Sequence, residues 1–333
     1  MGAPTYPVRP LVVPSEQVLV VEDDLAGIRL ADFLERRCPA STRMDLRHLV
    51  AAGRIKLNGV PCLHSPRLRR GDVVQVPAIE AAPRPEPPGP LPDVRYESST
   101  VLVVAKPAGL ATVPDRSGRD RGIHGRLDEL RPGADLRIVH RLDRDTSGCL
   151  LLGKGLAAAQ HFDEQFRNGA VAKTYLALVQ GVPAPDRFEV SAWLGPDRRR
   201  PGKVVAAAGP ARGLRSAHTL VEVLQRFQRY ALLQLHPQTG RSHQLRVHLA
   251  SVGHPIVGDQ DYGGEVLLLS SLKTGYKLRR GVVERPLLDR MFLHAFRVSF
   301  RDVDGTLVDV ETPMTSDLAA TLQKLESFDE RRR

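Results

Sequence analysis

Apolar positions along the chain divide it into two regions of different rhythm. Near the start, Leu30, Phe33 and Leu34 recur at helical spacing, as do Leu46, Leu49 and Val50, and Gly53 closes the second of these predicted helices. Ile55 and Leu57 then alternate with Lys56 and Asn58, and Asn58-Gly59 is a strong hairpin-turn signal, with Val60 and Cys62 on the return strand. An Arg70-Gly71-Asp72 turn leads into Val73-Val74-Gln75-Val76. Beyond residue 94 the rhythm turns to strands: Val101–Val104, Arg137–Leu142, Leu150–Leu152, Tyr175–Val179, His218–Leu224, Ala231–Leu235, Phe292–Phe300 and Leu307–Val310. Helices are predicted near Leu156–Arg167, Gly240–Val252 and Asp317–Phe328. Strict strand–helix alternation is missing, so the class is α+β, with a mainly antiparallel mixed sheet in the larger region.

Between the regions, residues 83–92 hold six prolines (Pro83, Pro85, Pro87, Pro88, Pro90 and Pro92), which forbids helix and ladder alike and favours an extended spacer. The organisation read from this is an N-terminal arm 1–24, a small unit 25–77, a Pro-rich linker 78–93, a large domain 94–328 and a basic tail 329–333.

Charge sharpens the small unit's meaning. The chain of 333 residues carries a formal net charge of +10. From Gly27 to Pro77 ten Lys/Arg face four Asp/Glu, a balance of +6 and over half of that total. Such a face is often only solvated, but Arg43, Arg47, Arg54 and Lys56 cluster on the second helix, its flank and the hairpin, a layout suited to phosphates. No apolar run approaches the roughly 20 residues of a membrane span, and Met1–Pro14 has no signal-peptide core. Cys38, Cys62 and Cys149 lie far apart without a CxxC pair, so neither disulfide frame nor zinc site is expected, and the cytoplasm is the default location.

Two polar constellations could carry chemistry. His140-Arg141-Leu142-Asp143-Arg144-Asp145-Thr146-Ser147-Gly148 sits between Ile138-Val139 and Leu150-Leu152 and reads as strand, tight polar corner, strand. Its bland reading is a solvated hairpin turn; its sharp one is a reactive carboxylate held still on rigid strands. It opens like a calcium loop, but the twelfth position needs a bidentate Glu and is Lys154. A glycosidase pair of Asp143 and Asp145 is disfavoured because the chain has one tryptophan and 5% aromatics. The second constellation runs from His236 to Leu249. Pro237 and Gly240 mark a strand-to-helix turn with Thr239 as N-cap; Leu245, Leu249 and Val252 face the core, and Arg241, Gln244 and His248 share another face. An arginine at a helix start suits an anion, although a merely amphipathic helix stays open, and the histidines miss metal-ligand spacing.

The helix pair, Gly53-Arg-Ile-Lys-Leu-Asn-Gly59 and the Arg-Gly-Asp turn resemble an S4 RNA-binding domain over about residues 25–77. Farther on, Lys106-Pro-Ala-Gly109, the 140–148 run, Lys173-Thr-Tyr175 and Thr239-Gly-Arg-Ser-His-Gln-Leu-Arg-Val-His248 occur in an order that resembles the RluA family of RNA pseudouridine synthases, over about residues 98–313. The resemblance implies a small S4-like unit joined to a pseudouridine synthase domain. It implies Asp143 as the catalytic aspartate, Tyr175 as the tyrosine packed on the base, Arg241 as the arginine paired with the aspartate, and Arg141 as the wedge replacing a flipped base. His140 and Lys106 join Arg141 as RNA contacts, Arg43, Arg47, Arg54 and Lys56 add grip, and Asp145, Thr146, Ser147 and Gly148 support the loop. Uridine isomerisation is redox neutral, so neither cofactor nor metal is expected. The implied partner is structured RNA, ribosomal before transfer RNA, bound by a monomer with no membrane contact; the rival is a non-catalytic RNA-binding or assembly protein keeping the fold. Ala105, Val113-Pro114, Gly153 and Arg301-Asp302 depart from the family pattern.

Overall fold

The structure is a computed structural model describing residues 17–38, 46, 49–77, 91–114, 122–273, 276 and 283–330. The chain divides into two compact units, Met1–Gly89 with Leu267–Asp289, and Pro90–Val266 with Arg290–Arg333. The first boundary falls between Gly89 and Pro90. Residues 267–289, read from sequence as part of the large domain, belong instead to the small unit; no shift in composition marks the chain at 266.

In the small unit, β1 (Gln17–Val20), β2 (Lys56–Leu57), β3 (Val60–Pro61) and β4 (Val73–Val76) form an antiparallel sheet in the order β1-β4-β2-β3. Strand β1 falls in what was predicted as an arm. It is an edge strand with Val18 and Val20 60% and 53% exposed, so its valines do not report burial. Asn58 and Gly59 both adopt positive φ (52° and 81°), the turn that matches hairpin twist. The helix Leu30–Arg37 buries Leu30, Phe33 and Leu34 against Leu46, Val50, Ile55, Val74 and Val76.

The large unit is built on β5 (Asp93–Glu97), β6 (Val101–Lys106), β7 (Leu136–Ile138), β8 (Ser147–Lys154), β9 (Ala172–Gln180), β10 (Arg187–Pro196), β11 (Val204–Ala207), β12 (Arg215–Arg226), β13 (Tyr230–Pro237), β14 (Leu293–Arg301) and β15 (Leu307–Glu311). The sheet order is β11-β10-β12-β13-β9-β14-β8-β6-β5, with β15 beside β14 and β7 beside β8. Among the described strands, β14 and β8 pair in parallel and the remaining pairs are antiparallel, which gives the mixed, mostly antiparallel sheet. Both faces of its centre are covered. Val101, Val103, Cys149 and Leu151 pack with Phe162 of the helix Gly155–Asn168, whereas Leu102, Val104, Leu150 and Leu152 pack with Ile123, Leu130 and Leu142 on the other side. A strand buried on both sides reads as a continuous apolar run, which is why β6 and β8 were legible.

Strands β5, β10 and β11 had not been predicted, and the strand expected over Arg137–Leu142 stops at Ile138. The helix expected near Gly240–Val252 spans only Gln244–Ser251. Gln244, Arg246, Val247 and His248 are buried beside Leu245 and Leu249, which closes the alternative of a merely amphipathic helix, and Val252 is 41% exposed rather than in the core.

Candidate active site

The polar corner between β7 and β8 is held from several sides. The Thr146 N–H closes a turn onto the Asp143 carbonyl at 3.1 Å. Buried Thr112 accepts the Leu142 N–H at 3.1 Å and donates its hydroxyl to the Leu142 carbonyl at 2.8 Å, clamping the residue between Arg141 and Asp143. Ser147 bonds His294 Nδ1 at 2.9 Å, and His294 Nε2 meets the Thr312 carbonyl at 2.9 Å. Gly148 lies on the β8–β14 parallel pairing at φ 115°, and a Cβ there would stand 2.1 Å from the Ala295 carbonyl oxygen. Gly148→Ala is accordingly expected to cost more than about 3 kcal/mol, since both backbone strain and collision oppose it, and to lower the thermal midpoint sharply; an unchanged melting curve would refute this close approach.

Lys106 is 1% exposed and sits at the end of β6. Its Nζ donates to the carbonyls of Pro107 (2.8 Å), Leu110 (2.7 Å) and Arg144 (2.9 Å), tying the corner to the neighbouring loop. It is thus an internal brace and not the RNA contact foreseen. Burial pulls its pKa down to about 7, against the opposing charges of Asp145 and Asp143. Between about 7 and its ordinary 10.5 the unfolded chain binds more protons at this residue than the folded one, so this contribution to stability rises with pH across that window. The melting-temperature difference between wild type and Lys106→Met should therefore grow in favour of wild type from pH 7 to pH 9.5, a trend that parallel melts at the two values would expose or exclude.

Asp143 has a side chain 27% exposed, and its two oxygens are treated differently. Oδ2 faces Arg246 Nη1 at 3.3 Å, and Oδ1 faces His243 Nε2 at 4.0 Å. The arginine beside Asp143 is thus Arg246, a correction of the pairing assigned to Arg241. Arg241 donates Nε to the Ser216 carbonyl at 3.1 Å and its backbone N–H to Gln244 Oε1 at 3.0 Å. The helix begins at Gln244, later than its sequence suggested, after His243 has turned the chain at φ 52°. This left-handed residue costs roughly 1–2 kcal/mol. Thr239 does not cap that helix end; its hydroxyl bonds Gln244 Oε1 at 2.8 Å.

Arg246 is locked. Asp259 takes Nε and Nη2, both at 2.7 Å, Asp261 lies 3.3 Å from Nη2, and the guanidinium sits 4.8 Å from the Tyr262 ring centroid. Burial opposes its charge, but the bonds and charge of Asp259, with Asp143 and Asp261, outweigh that and hold its pKa above the ordinary value. Lys203 is 8% exposed and pairs with Asp261 at 3.3 Å.

Tyr175 on β9 stands across the sheet from the corner. It pairs with Ala295 of β14, which in turn pairs with Gly148, and it packs in the cluster containing Leu142. Burial and the charge of Asp143 push its phenol up, so it remains protonated. Arg141 is exposed beside the buried Leu142. His140 stacks on Phe166 at 4.3 Å and accepts the Leu151 N–H on Nε2 at 2.9 Å, with burial driving its pKa down to about 3. That engagement makes it part of the frame and not the RNA contact foreseen. In the small unit Arg54 and Lys56 are exposed; Arg43 and Arg47 lie outside the described residues.

The site thus holds a carboxylate beside a fixed guanidinium, with the half-buried Tyr175 in the cluster that contains Leu142. Residues 100–251 match the family model described as RNA pseudouridylate synthase. The "Ribosomal large subunit pseudouridine synthase C" of Escherichia coli (strain K12) is 33% identical over 325 residues, covering 94% of this chain and 97% of that protein. The chain belongs to the RNA pseudouridylate synthase family. The synthase of the same description from Vibrio parahaemolyticus is 30% identical over 92% of this chain and 95% of its own length. Among solved structures, "Human RNA Pseudouridylate Synthase Domain Containing 1" aligns at TM-score 0.55 and 30% identity, covering 70% of this chain and 90% of that one.

Two departures from the family pattern have local reasons in this synthase. A Cβ at Gly153 would lie 2.7 Å from the Ala159 Cα, where the helix after β8 crosses closely. Asp302 accepts hydroxyl bonds from Ser98 and Thr100 and the Val303 N–H, organising the β14–β15 turn. The residues the motifs failed to single out are Thr112, His243, Arg246, Asp259, Asp261 and Tyr262. A signal for the last three existed in Gly258-Asp-Gln-Asp-Tyr-Gly-Gly264, acids and an aromatic confined between glycines. Gly258 has φ 80°, and a Cβ on Gly264 would fall 1.9 Å from the Ile256 carbonyl oxygen.

Proposed function

We propose that this synthase converts uridine to pseudouridine in ribosomal RNA, with Asp143 as the reacting carboxylate. The observation that carries the reading is the asymmetry at Asp143: Arg246 Nη1 bonds Oδ2 at 3.3 Å, while the nearest ion-pair partner of Oδ1, His243 Nε2, stands off at 4.0 Å and the side chain is 27% exposed. The reaction breaks the N1–C1′ bond, turns the base and joins C5 to C1′; the C5 proton is lost and N1 gains one, so no electrons enter or leave. A carboxylate held ionised by an adjacent guanidinium suits an oxygen that must act beside the ribose. Tyr175 forms a wall against which the base packs and is the candidate for proton movement at C5. Arg141, exposed at the lip, fills the stack left by the flipped base, which offsets part of an unstacking cost of a few kcal/mol. Asp145, Thr146, Ser147 and Gly148 aim the corner.

The ribosomal substrate rests on the descriptions of the curated relatives, which name the large ribosomal subunit. The unit over 25–77 is read as an S4-like RNA-binding module, with Arg54 and Lys56 on its exposed side as phosphate contacts. No described helix is long and apolar enough to cross a membrane. We read the enzyme as one that works as a monomer in the cytoplasm on its RNA. Chemical pseudouridine mapping of ribosomal RNA from cells with and without the gene tests this directly. A site present only in the wild type names the target, and identical maps would overturn the ribosomal reading.

A further inference from the structure

His243 occupies an unusual backbone position and its ring is aimed at the reacting group. It is a non-glycine residue at φ 52°, and its side chain, 22% exposed, lies beside Asp143. Nδ1 is 2.7 Å from Tyr262 Oη. That same oxygen accepts the Val204 N–H at 2.9 Å, and burial, ahead of its neighbours' charges, raises the Tyr262 phenol to about 12, so it keeps its proton. The phenol O–H therefore donates its hydrogen bond to Nδ1, so the neutral imidazole carries its own proton on Nε2. Burial holds the ring below its ordinary value despite Asp143, so it is neutral at pH 7. The result is an N–H donor fixed 4.0 Å from Asp143 Oδ1.

This separation is too long for a direct hydrogen bond and matches two bonds of roughly 2.8 Å meeting at one shared oxygen. Such an oxygen must accept a hydrogen bond from Nε2–H and donate one to the carboxylate. In an internal RNA nucleotide the base carbonyls only accept, N3–H only donates, and the phosphates carry no proton at neutral pH. The 2′-hydroxyl does both, and it is attached next to C1′, where the reaction occurs.

We propose that His243 is a specificity-determining residue that, together with Asp143 Oδ1, reads the 2′-hydroxyl of the target uridine and so restricts the enzyme to RNA at that nucleotide. This rests on Asp143 being the reacting carboxylate. Tyr262 acts behind it as a positioning residue, by fixing the tautomer.

The test pairs protein and substrate changes, using the shortest synthetic RNA that the wild type modifies at its mapped uridine, with uridine or 2′-deoxyuridine at that position. Single-turnover rates are measured for wild type, His243→Asn and Tyr262→Phe. Asparagine tolerates the left-handed backbone but is too short to reach, and Tyr262→Phe keeps the ring under Arg246 while removing the hydroxyl. Any intrinsic effect of the missing oxygen on bond cleavage is common to all three proteins and cancels between them. The ratio of ribo to deoxy rates is expected to be about 10- to 100-fold larger in the wild type than in His243→Asn, with Tyr262→Phe between them. Equal ratios in the wild type and a folded His243→Asn, confirmed by its melting curve, overturn the inference. If His243→Asn does not fold, Tyr262→Phe decides by the same criterion. Asp143→Asn run in parallel separates the two levels: turnover in that variant overturns the role of Asp143 itself, whereas its inactivity beside equal ratios removes only the role of His243.

Discussion

Replacing Asp143 with asparagine is expected to lower pseudouridine formation by about a thousandfold or more while leaving RNA affinity within a few-fold of wild type. The substitution keeps shape and hydrogen-bonding capacity but removes the charge and the nucleophilic oxygen. The corner's scaffold does not depend on the Asp143 side chain: Thr146 bonds its backbone carbonyl, and Thr112 clamps Leu142 beside it. Loss of turnover can therefore be separated from loss of fold by a melting curve, and from loss of binding by a filter-binding isotherm. Incubation with 5-fluorouridine RNA adds a second reading, because a stable adduct expected with the wild type should be absent from the variant. Appreciable turnover by Asp143→Asn would remove this residue from the chemistry.

Arg246→Met should be nearly as damaging, and it should also destabilise the fold. Arg246 gathers Asp143, Asp259 and Asp261 around one guanidinium that is itself about 10% exposed. Removing it deprives Asp259 of both its 2.7 Å bonds in a place where its side chain is 2% exposed. Breaking a buried pair from one side costs about 3–5 kcal/mol, and the like charges of Asp143, Asp259 and Asp261 then face one another without the intervening cation. Arg246→Lys should recover part of the stability but little activity, since an ammonium cannot reproduce the two parallel bonds to Asp259 while reaching Asp143. Arg241→Met is the informative comparison. Its guanidinium donates to a carbonyl near the surface, so a stability loss of about 1 kcal/mol or less is expected. Thermal unfolding with single-turnover rates on all three variants decides the matter; an Arg241→Met enzyme more impaired than Arg246→Met would reverse the assignment made from the geometry.

The contrast between these two arginines shows where sequence reading stops. Both lie in one motif, and a helix drawn from Gly240 places Arg241 outward beside Gln244 and His248. Local pattern does not reveal that His243 takes a left-handed conformation, which delays the helix to Gln244. Which arginine turns toward Asp143 is then settled by Asp259 and Asp261, 13 and 15 residues farther along the chain from Arg246. Lys106 and His140 illustrate a second limit. A cation and an imidazole next to a reactive corner look like ligand contacts, but the loops need internal donors and acceptors of their own. Lys106 supplies three bonds to carbonyls, and His140 accepts the N–H of Leu151.

What the sequence determined by itself was local and periodic. Apolar runs located β6 and β8, which are buried on both faces; Asn58-Gly59 located a hairpin; and the order of four motifs pointed to the family. What the tertiary structure decided was non-local: the return of residues 267–289 to the small unit, the parallel β8–β14 pairing that demands Gly148, and the choice of Arg246 and His243 as the two groups facing the carboxylate. The physical reason is plainest for the last of these. Chain periodicity reports which side of an element avoids water, whereas the partner of a buried charge is chosen by whichever donor the packed elements bring within about 3 Å of it.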